Sequence, residues 1–190
     1  GMATAPEHLD APQSAPRNVR QWVAEVAAHT QPERIHWCDG SEAEYRALIQ
    51  GLLGSGVLLQ LNQQTHPGCY LHHSHPSDVA RVEHLTFVCT EQAADAGPNN
   101  NWIAPGEARA RMAALFAGCM RGRTMYVVPY CMGPLDSPFA RCGVEITDSP
   151  YVAASMRLMT RMGAAALERI GRDGTFIRGL HSTGELDPER

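Results

Sequence analysis

The chain has 190 residues, 44% of them hydrophobic, with 16 basic against 20 acidic side chains, a formal charge of −4 and a pI near 6.1. Such a composition supports one buried core in a domain of ordinary size and lacks any polyanion-seeking signature, so nucleic acid is excluded as the expected partner. No apolar stretch approaches the roughly 20 residues that cross a bilayer, and no basic start with an apolar run marks a secretory signal; the expectation is a cytoplasmic protein that does not engage a membrane.

Residues 1–17 contain three prolines and no periodic apolar pattern, which reads as a disordered leader ahead of a domain at 18–190. From Asn18, a cap candidate, Val19, Trp22, Val23 and Val26 recur at helical spacing. A second helix starts at Ser41, with Glu44 completing a capping box and Tyr45, Leu48, Ile49 and Leu52 on its apolar face. The first strand is expected only after these two helices, at Val57–Leu61, beyond the Gly54-Ser55-Gly56 turn. Asn62 to Asp78 is too rich in turn formers to be regular, and Leu85–Thr90 reads as the next strand.

Pro105 and Glu107 open a helix whose inner stripe is Ala108, Met112, Leu115 and Phe116, and Gly118 ends it. Thr124–Tyr130 and Gly143–Thr147 are predicted strands. Ser149 as cap and Pro150 at the first helical position start a helix through Met162, with Met156, Met159 and Met162 beside Val152 read as core. Gly163 is expected to bend or interrupt it before Ala164–Ile170, and Thr175–Leu180 forms the last strand. This alternation predicts an α/β domain, a mixed β-sheet with flanking helices.

Every basic residue other than histidine is an arginine. Mechanisms that need an amine, such as a Schiff base, a lysine base or a phosphate-loop lysine, are therefore excluded from these residues, whereas two-pronged recognition of carboxylate or phosphate is favoured. The six cysteines form no Cys-x-x-Cys pair and are expected to be reduced, mostly buried thiols. The run Gly118-Cys-Met-Arg-Gly-Arg123 suits either an anion-holding turn or a helix-to-strand corner, and the corner is preferred because helix end and strand start coincide there. Arg157 and Arg161, four apart on the expected helix, read as a solvated face. His72, His73 and His75 are dense, but neighbours in an extended stretch diverge; a solvated loop is the reading and no metal ligand is assigned. No glycine-rich nucleotide fingerprint is present, so no cofactor is expected to be held by these residues alone.

The segment Gly118-Cys-Met-Arg-Gly-Arg-Thr-Met-Tyr-Val-Val-Pro-Tyr-Cys-Met-Gly-Pro134 resembles the N-terminal domain of GTP-dependent phosphoenolpyruvate carboxykinase. So do Asp78-Val-Ala-Arg-Val-Glu83, Asp95-Ala-Gly-Pro-Asn-Asn-Asn-Trp102 and Thr147-Asp-Ser-Pro-Tyr-Val-Ala-Ala-Ser-Met-Arg-Leu-Met-Thr-Arg-Met-Gly163. The resemblance is densest from Pro76 to Ser182 and implies the fold and substrate-binding part of an enzyme, a carboxy-lyase of gluconeogenesis that converts oxaloacetate and GTP to phosphoenolpyruvate, CO2 and GDP. It implies that Arg81 contacts the substrate carboxylate and that Glu83 lines the same site. It also implies that GTP, Mn2+ or Mg2+ and the catalytic residues belong to a C-terminal nucleotide-binding domain outside these residues, which are then a fragment inactive alone. A stand-alone, non-catalytic binding domain built on the same fold is the rival expectation. The histidines before Pro76 depart from the family's usual pattern.

Overall fold

The structure, a computed structural model, describes residues 10–60, 70–72, 87–89, 101–103, 110 and 114–184. Helix α1 (Arg17–Thr30) buries Val19, Trp22, Val23, Val26, Ala27 and Thr30, the predicted stripe with two further members. Its N-cap is Pro16 and not Asn18, whose side-chain amide instead donates to the carbonyl of Gly174. Residues just before the helix are packed as well, although they fall in the stretch read as a leader. Ala15 is buried, and the Arg20 guanidinium donates to the carbonyls of Ala15 (2.8 Å) and Pro12 (2.7 Å).

Strand β1 (Arg34–Trp37) follows, so one helix rather than two precedes the first strand. Four residues carry too little periodicity to be read alone; what makes them a strand is parallel pairing with a partner about 90 residues away in sequence, Arg34 opposite Thr124 through Trp37 opposite Val127. Helix α2 (Glu42–Gly54) begins as expected, Ser41 Oγ accepting from the Glu44 N–H at 3.1 Å. The Glu44 carboxylate reaches back to the N–H groups of Asp39 (2.9 Å) and Gly40 (3.1 Å), a variant of the capping box displaced upstream of the cap itself.

Four short strands make two small pairs: β2 (Leu58–Gln60) antiparallel to β3 (Tyr70–His72), and β4 (Phe87–Cys89) parallel to β5 (Asn101–Ile103). The predicted helix after Pro105 lies largely outside the described residues; 110 and 114–116 are helical, and Gly118 at φ 68° turns the chain out.

The main sheet is built from β6 (Thr124–Met132), β7 (Arg141–Thr147) and β9 (Ile177–His181) in the order β1-β6-β7-β9, parallel at both ends and antiparallel in the middle. A two-residue strand, β8 (Arg161–Met162), pairs with Tyr130 and Cys131 of β6 beyond the end of β1. Pro129 sits at the seam between β1 and β8. Its carbonyl accepts from the Gly163 N–H at 3.1 Å.

Helices α1 and α4 (Ala164–Asp173) cover one face of this sheet, closing a core of Val19, Val23, Met125, Val127, Val144, Ile146, Leu167 and Ile170, all fully buried. Helices α2 and α3 (Pro150–Met159) cover part of the other, where Cys38, Val128 and Ala153 meet. The architecture is thus the mixed α/β arrangement that the pattern predicts.

Further expectations are corrected. Helix α3, capped by Ser149 Oγ on the Val152 N–H at 3.3 Å and with Pro150 in its first turn, ends at Met159 rather than Met162. Thr160 turns extended, and the next two residues are captured by the β6 edge. Arg157 and Arg161 accordingly do not share a helix face. Of the three methionines read as core, Met159 is 65% exposed, whereas Met156 and Met162 are half-buried and pack against Cys38, Val128 and Ala153; the fully buried residues of α3 are Ala153 and Ala154. Lastly, Cys131 and Cys142 are joined by a disulfide, against the expectation of reduced thiols throughout; they are direct register partners on β6 and β7, an opposition that spacing in sequence does not reveal. Cys38 and Cys119 are free and buried.

Candidate functional site

Arg81 and Glu83 fall in the connection between β3 and β4, outside the described residues, as do His73 and His75; His72 is the last residue of β3. What the described residues supply is the frame around that connection and the disposition of the remaining candidates.

The Gly118–Arg123 run is a corner. Gly118 and Gly122 both take positive φ (68° and 70°), and the N–H groups of Gly118 and Met120 are spent on the carbonyls of His29 and Thr30 at the end of α1. Its arginines are engaged within the fold. Arg121 Nε donates to Gln31 Oε1 at 2.8 Å, and Arg123 Nη1 donates to Thr183 Oγ1 at 3.0 Å, 3.7 Å from the Asp148 carboxylate. Asp148 is buried at the β7–α3 junction and accepts from Ser182 Oγ (2.6 Å), the Thr183 N–H (2.8 Å) and Thr183 Oγ1 (3.2 Å), which ties the chain after β9 to the start of α3. Arg157 also faces inward, its Nε donating to the Gly40 carbonyl at 3.0 Å and its guanidinium lying 4.9 Å from the Tyr45 ring centre. Arg161 borders an open groove of about 380 Å³ with Leu158, Met159, Gly133 and Pro134.

The sheet face opposite α1 and α4 gathers titratable side chains along β7. Register pairs share a face, which puts Tyr130 beside Gly143, Glu145 beside Gly179 and Thr147 beside His181 on the same side. The glycines clear space for their neighbours: a Cβ on Gly143 would stand 2.7 Å from the Tyr130 hydroxyl, and one on Gly179 would collide with the Glu145 carboxylate. Burial lowers the pKa of His181, whose Nδ1 lies 2.8 Å from Thr147 Oγ1, and raises that of Tyr130.

Burial also pushes Glu145 from its ordinary 4.5 up to about 7. A carboxyl whose folded pKa is raised contributes stability below the unfolded value and loses it as pH climbs through the folded one, here between about 4.5 and 7. Glu145→Gln is therefore expected to stabilise the chain at pH 8 by on the order of 1–3 kcal/mol and to change little at pH 4. Urea unfolding at the two pH values checks this, and an equal effect at both would show that Glu145 does not titrate in that window.

A second cluster joins β1 to α2. His36 Nε2 lies 2.8 Å from Glu44 Oε2, and this hydrogen bond is the main reason the imidazole pKa is raised. The Cys38 thiol is buried beside them, and burial pushes its pKa up. One ligand-capable atom from each of the three, Nε2 or Nδ1, Sγ and a carboxylate oxygen, lies within 4.8 Å of the others. Sequence reasoning missed this trio because its third member is on another element; the readable signal was His-x-Cys on an extended stretch six residues before a cap-linked glutamate.

Among the described residues no helix is long and apolar enough to cross a membrane. A mixed sheet flanked by helices on both faces defines an α/β domain. The chain belongs to the phosphoenolpyruvate carboxykinase N-terminal domain family, which it matches over residues 21–190. It is 57% identical over 169 residues to a GTP-dependent phosphoenolpyruvate carboxykinase of Anaeromyxobacter dehalogenans, covering 89% of this chain and 28% of that relative. Against the enzyme of the same name from Chlamydia trachomatis the identity is 55% over 167 residues, 88% of this chain and 28% of the relative. The chain thus spans little more than a quarter of the length of the curated relatives it matches.

Proposed function

We propose that this domain binds the small anionic substrate of a GTP-dependent phosphoenolpyruvate carboxykinase, holding oxaloacetate or phosphoenolpyruvate for decarboxylation and phosphoryl transfer in a cytoplasmic, gluconeogenic setting. The observation that supports it is the 57% identity, over nearly the whole domain, to a relative bearing that enzyme's name. Arg81 grips the substrate carboxylate through its planar fork, and Glu83, two residues on in sequence, lines the same site. The β-keto acid loses CO2 to leave an enolate, which takes the γ-phosphoryl group; the fixed guanidinium keeps the dianion in register for both steps. Triphosphate and its Mn2+ or Mg2+ are held by the C-terminal nucleotide-binding domain, because these 190 residues contain no lysine and no phosphate-loop motif.

With Mn2+ present, the chain alone is expected to show no turnover with oxaloacetate and GTP or, in the reverse direction, with phosphoenolpyruvate, CO2 and GDP, and to acquire both when joined to the domain that follows in its relatives. Assaying both forms decides the matter: turnover by the 190 residues would overturn the division of labour, and a joined protein that folds but stays inactive would favour a non-catalytic binding domain.

A further inference from the structure

We propose that His36, Cys38 and Glu44 form a binding site for a thiophilic divalent cation of the zinc type. The placement follows from the backbone. His36 and Cys38 are two apart on an extended chain, which brings imidazole and thiol to one side; the ladder runs on past β1, the Cys38 N–H donating to the Val127 carbonyl at 2.8 Å. The first turn of α2 swings Glu44 over the same side, and all three donor atoms fall within 4.8 Å of one another.

Tetrahedral zinc, with bonds of about 2.0–2.3 Å to nitrogen, oxygen and sulfur, needs its donors on the order of 3.5 Å apart. Side-chain rotation covers the difference once the 2.8 Å His36–Glu44 contact opens to admit the ion. The carboxylate is already oriented, since Asp39 and Gly40 donate their N–H groups to its two oxygens, the kind of outer hydrogen bonding that fixes a ligating carboxylate. Access and seclusion are divided between the other two ligands: the His36 side chain is 47% exposed and opens a route from solvent, while Cys38 is 2% exposed beside Val128 and Ala153. A nitrogen, sulfur and oxygen set selects zinc or its surrogates cobalt and cadmium over Mg2+ and Mn2+, and water completes the fourth position.

Binding forms one metal–sulfur bond as the thiol gives its proton to solvent, with no change of oxidation state. Imidazolium must deprotonate as well. Protons compete with the cation for both donors, so affinity is expected to fall as pH is lowered.

The test is a cobalt titration of the 190-residue chain at pH 7.5, followed by displacement with zinc. A thiolate-to-cobalt charge-transfer band that saturates at one equivalent, vanishes in Cys38→Ser and is bleached by zinc is the expected result. Binding by His72, His73 and His75 alone would give no such band. His36→Ala, a change at a half-exposed position that leaves the thiol in place, is expected to keep the band and weaken zinc at least tenfold. The proposal fails if no band forms at saturating cobalt, if the band survives in Cys38→Ser, or if His36→Ala leaves zinc affinity unchanged; should Cys38→Ser not fold, the His36→Ala affinity decides.

Discussion

On the proposed function, Arg81→Ala in the chain joined to its nucleotide-binding domain is expected to lower kcat/KM for oxaloacetate by about two to three orders of magnitude, which corresponds to roughly 3–4 kcal/mol of lost transition-state stabilisation. On that proposal the substrate is a small anion that turns into a more highly charged one, so a guanidinium able to meet both oxygens of its carboxylate contributes position as well as charge. Lysine at 81 should restore only part of the loss, because an ammonium supplies charge without the fork. Two readouts separate this role from a structural one. The variant's thermal unfolding should match the parent's, and its affinity for GTP should be unchanged, since the nucleotide is assigned to the other domain. An unaltered kcat/KM would remove Arg81 from the substrate site, and with it the reason for placing Glu83 there.

How legible the fold was depended on whether the signal was local. Both interior helix stripes, the Ser41 and Ser149 caps and the long strands β6 and β7 are written in residues close to one another, and each appears where its pattern puts it. The misses are all set by distant partners. β1 is four residues whose strand character comes from β6, and β8 is two residues that the same edge removes from the end of α3. Of the methionine stripe only Met159 departs: it lies with Leu158 in the exposed last turn of α3, while Met156 and Met162 pack against the core. The Cys131–Cys142 bond depends on a register 11 residues across the β6–β7 turn. At the site the balance is different. Arg81 and Glu83 were read from a motif that resembles a family's, a chemical inference that the surrounding fold does not by itself make. His36, Cys38 and Glu44 became visible only once a strand and a helix were placed side by side. The Gly118–Arg123 corner was readable both ways, and the backbone bonds to α1 explain why its amides are not free for an anion.

Gly163→Ala is expected to destabilise this chain by about 3–5 kcal/mol, lowering the unfolding midpoint by roughly 10 °C. Gly163 joins β8 to α4 at φ 91° and ψ −146°, a region open to glycine alone, and it is pinned there by its N–H on the Pro129 carbonyl at 3.1 Å. The conformation brings it against the β1–α2 loop. A Cβ at 163 would run into the Asp39 carbonyl oxygen and stand 3.0 Å from its carbon, while one on neighbouring Gly40, also at positive φ, would stand 2.8 Å from Met162 Cβ. Two loops therefore cross with no room for a methyl group, and one of them carries the N–H groups that hold Glu44. Backbone, not a flexible side chain, is what an alanine meets, so the strain has nowhere to relax except by shifting the β1–α2 connection. Gly174→Ala is the control: its φ of 74° is equally unfavourable for alanine, yet nothing lies within 4 Å of the added atom, and about 1 kcal/mol is expected. Urea unfolding of the two variants separates the terms, and equal losses would mean that the loop crossing contributes no steric constraint of its own.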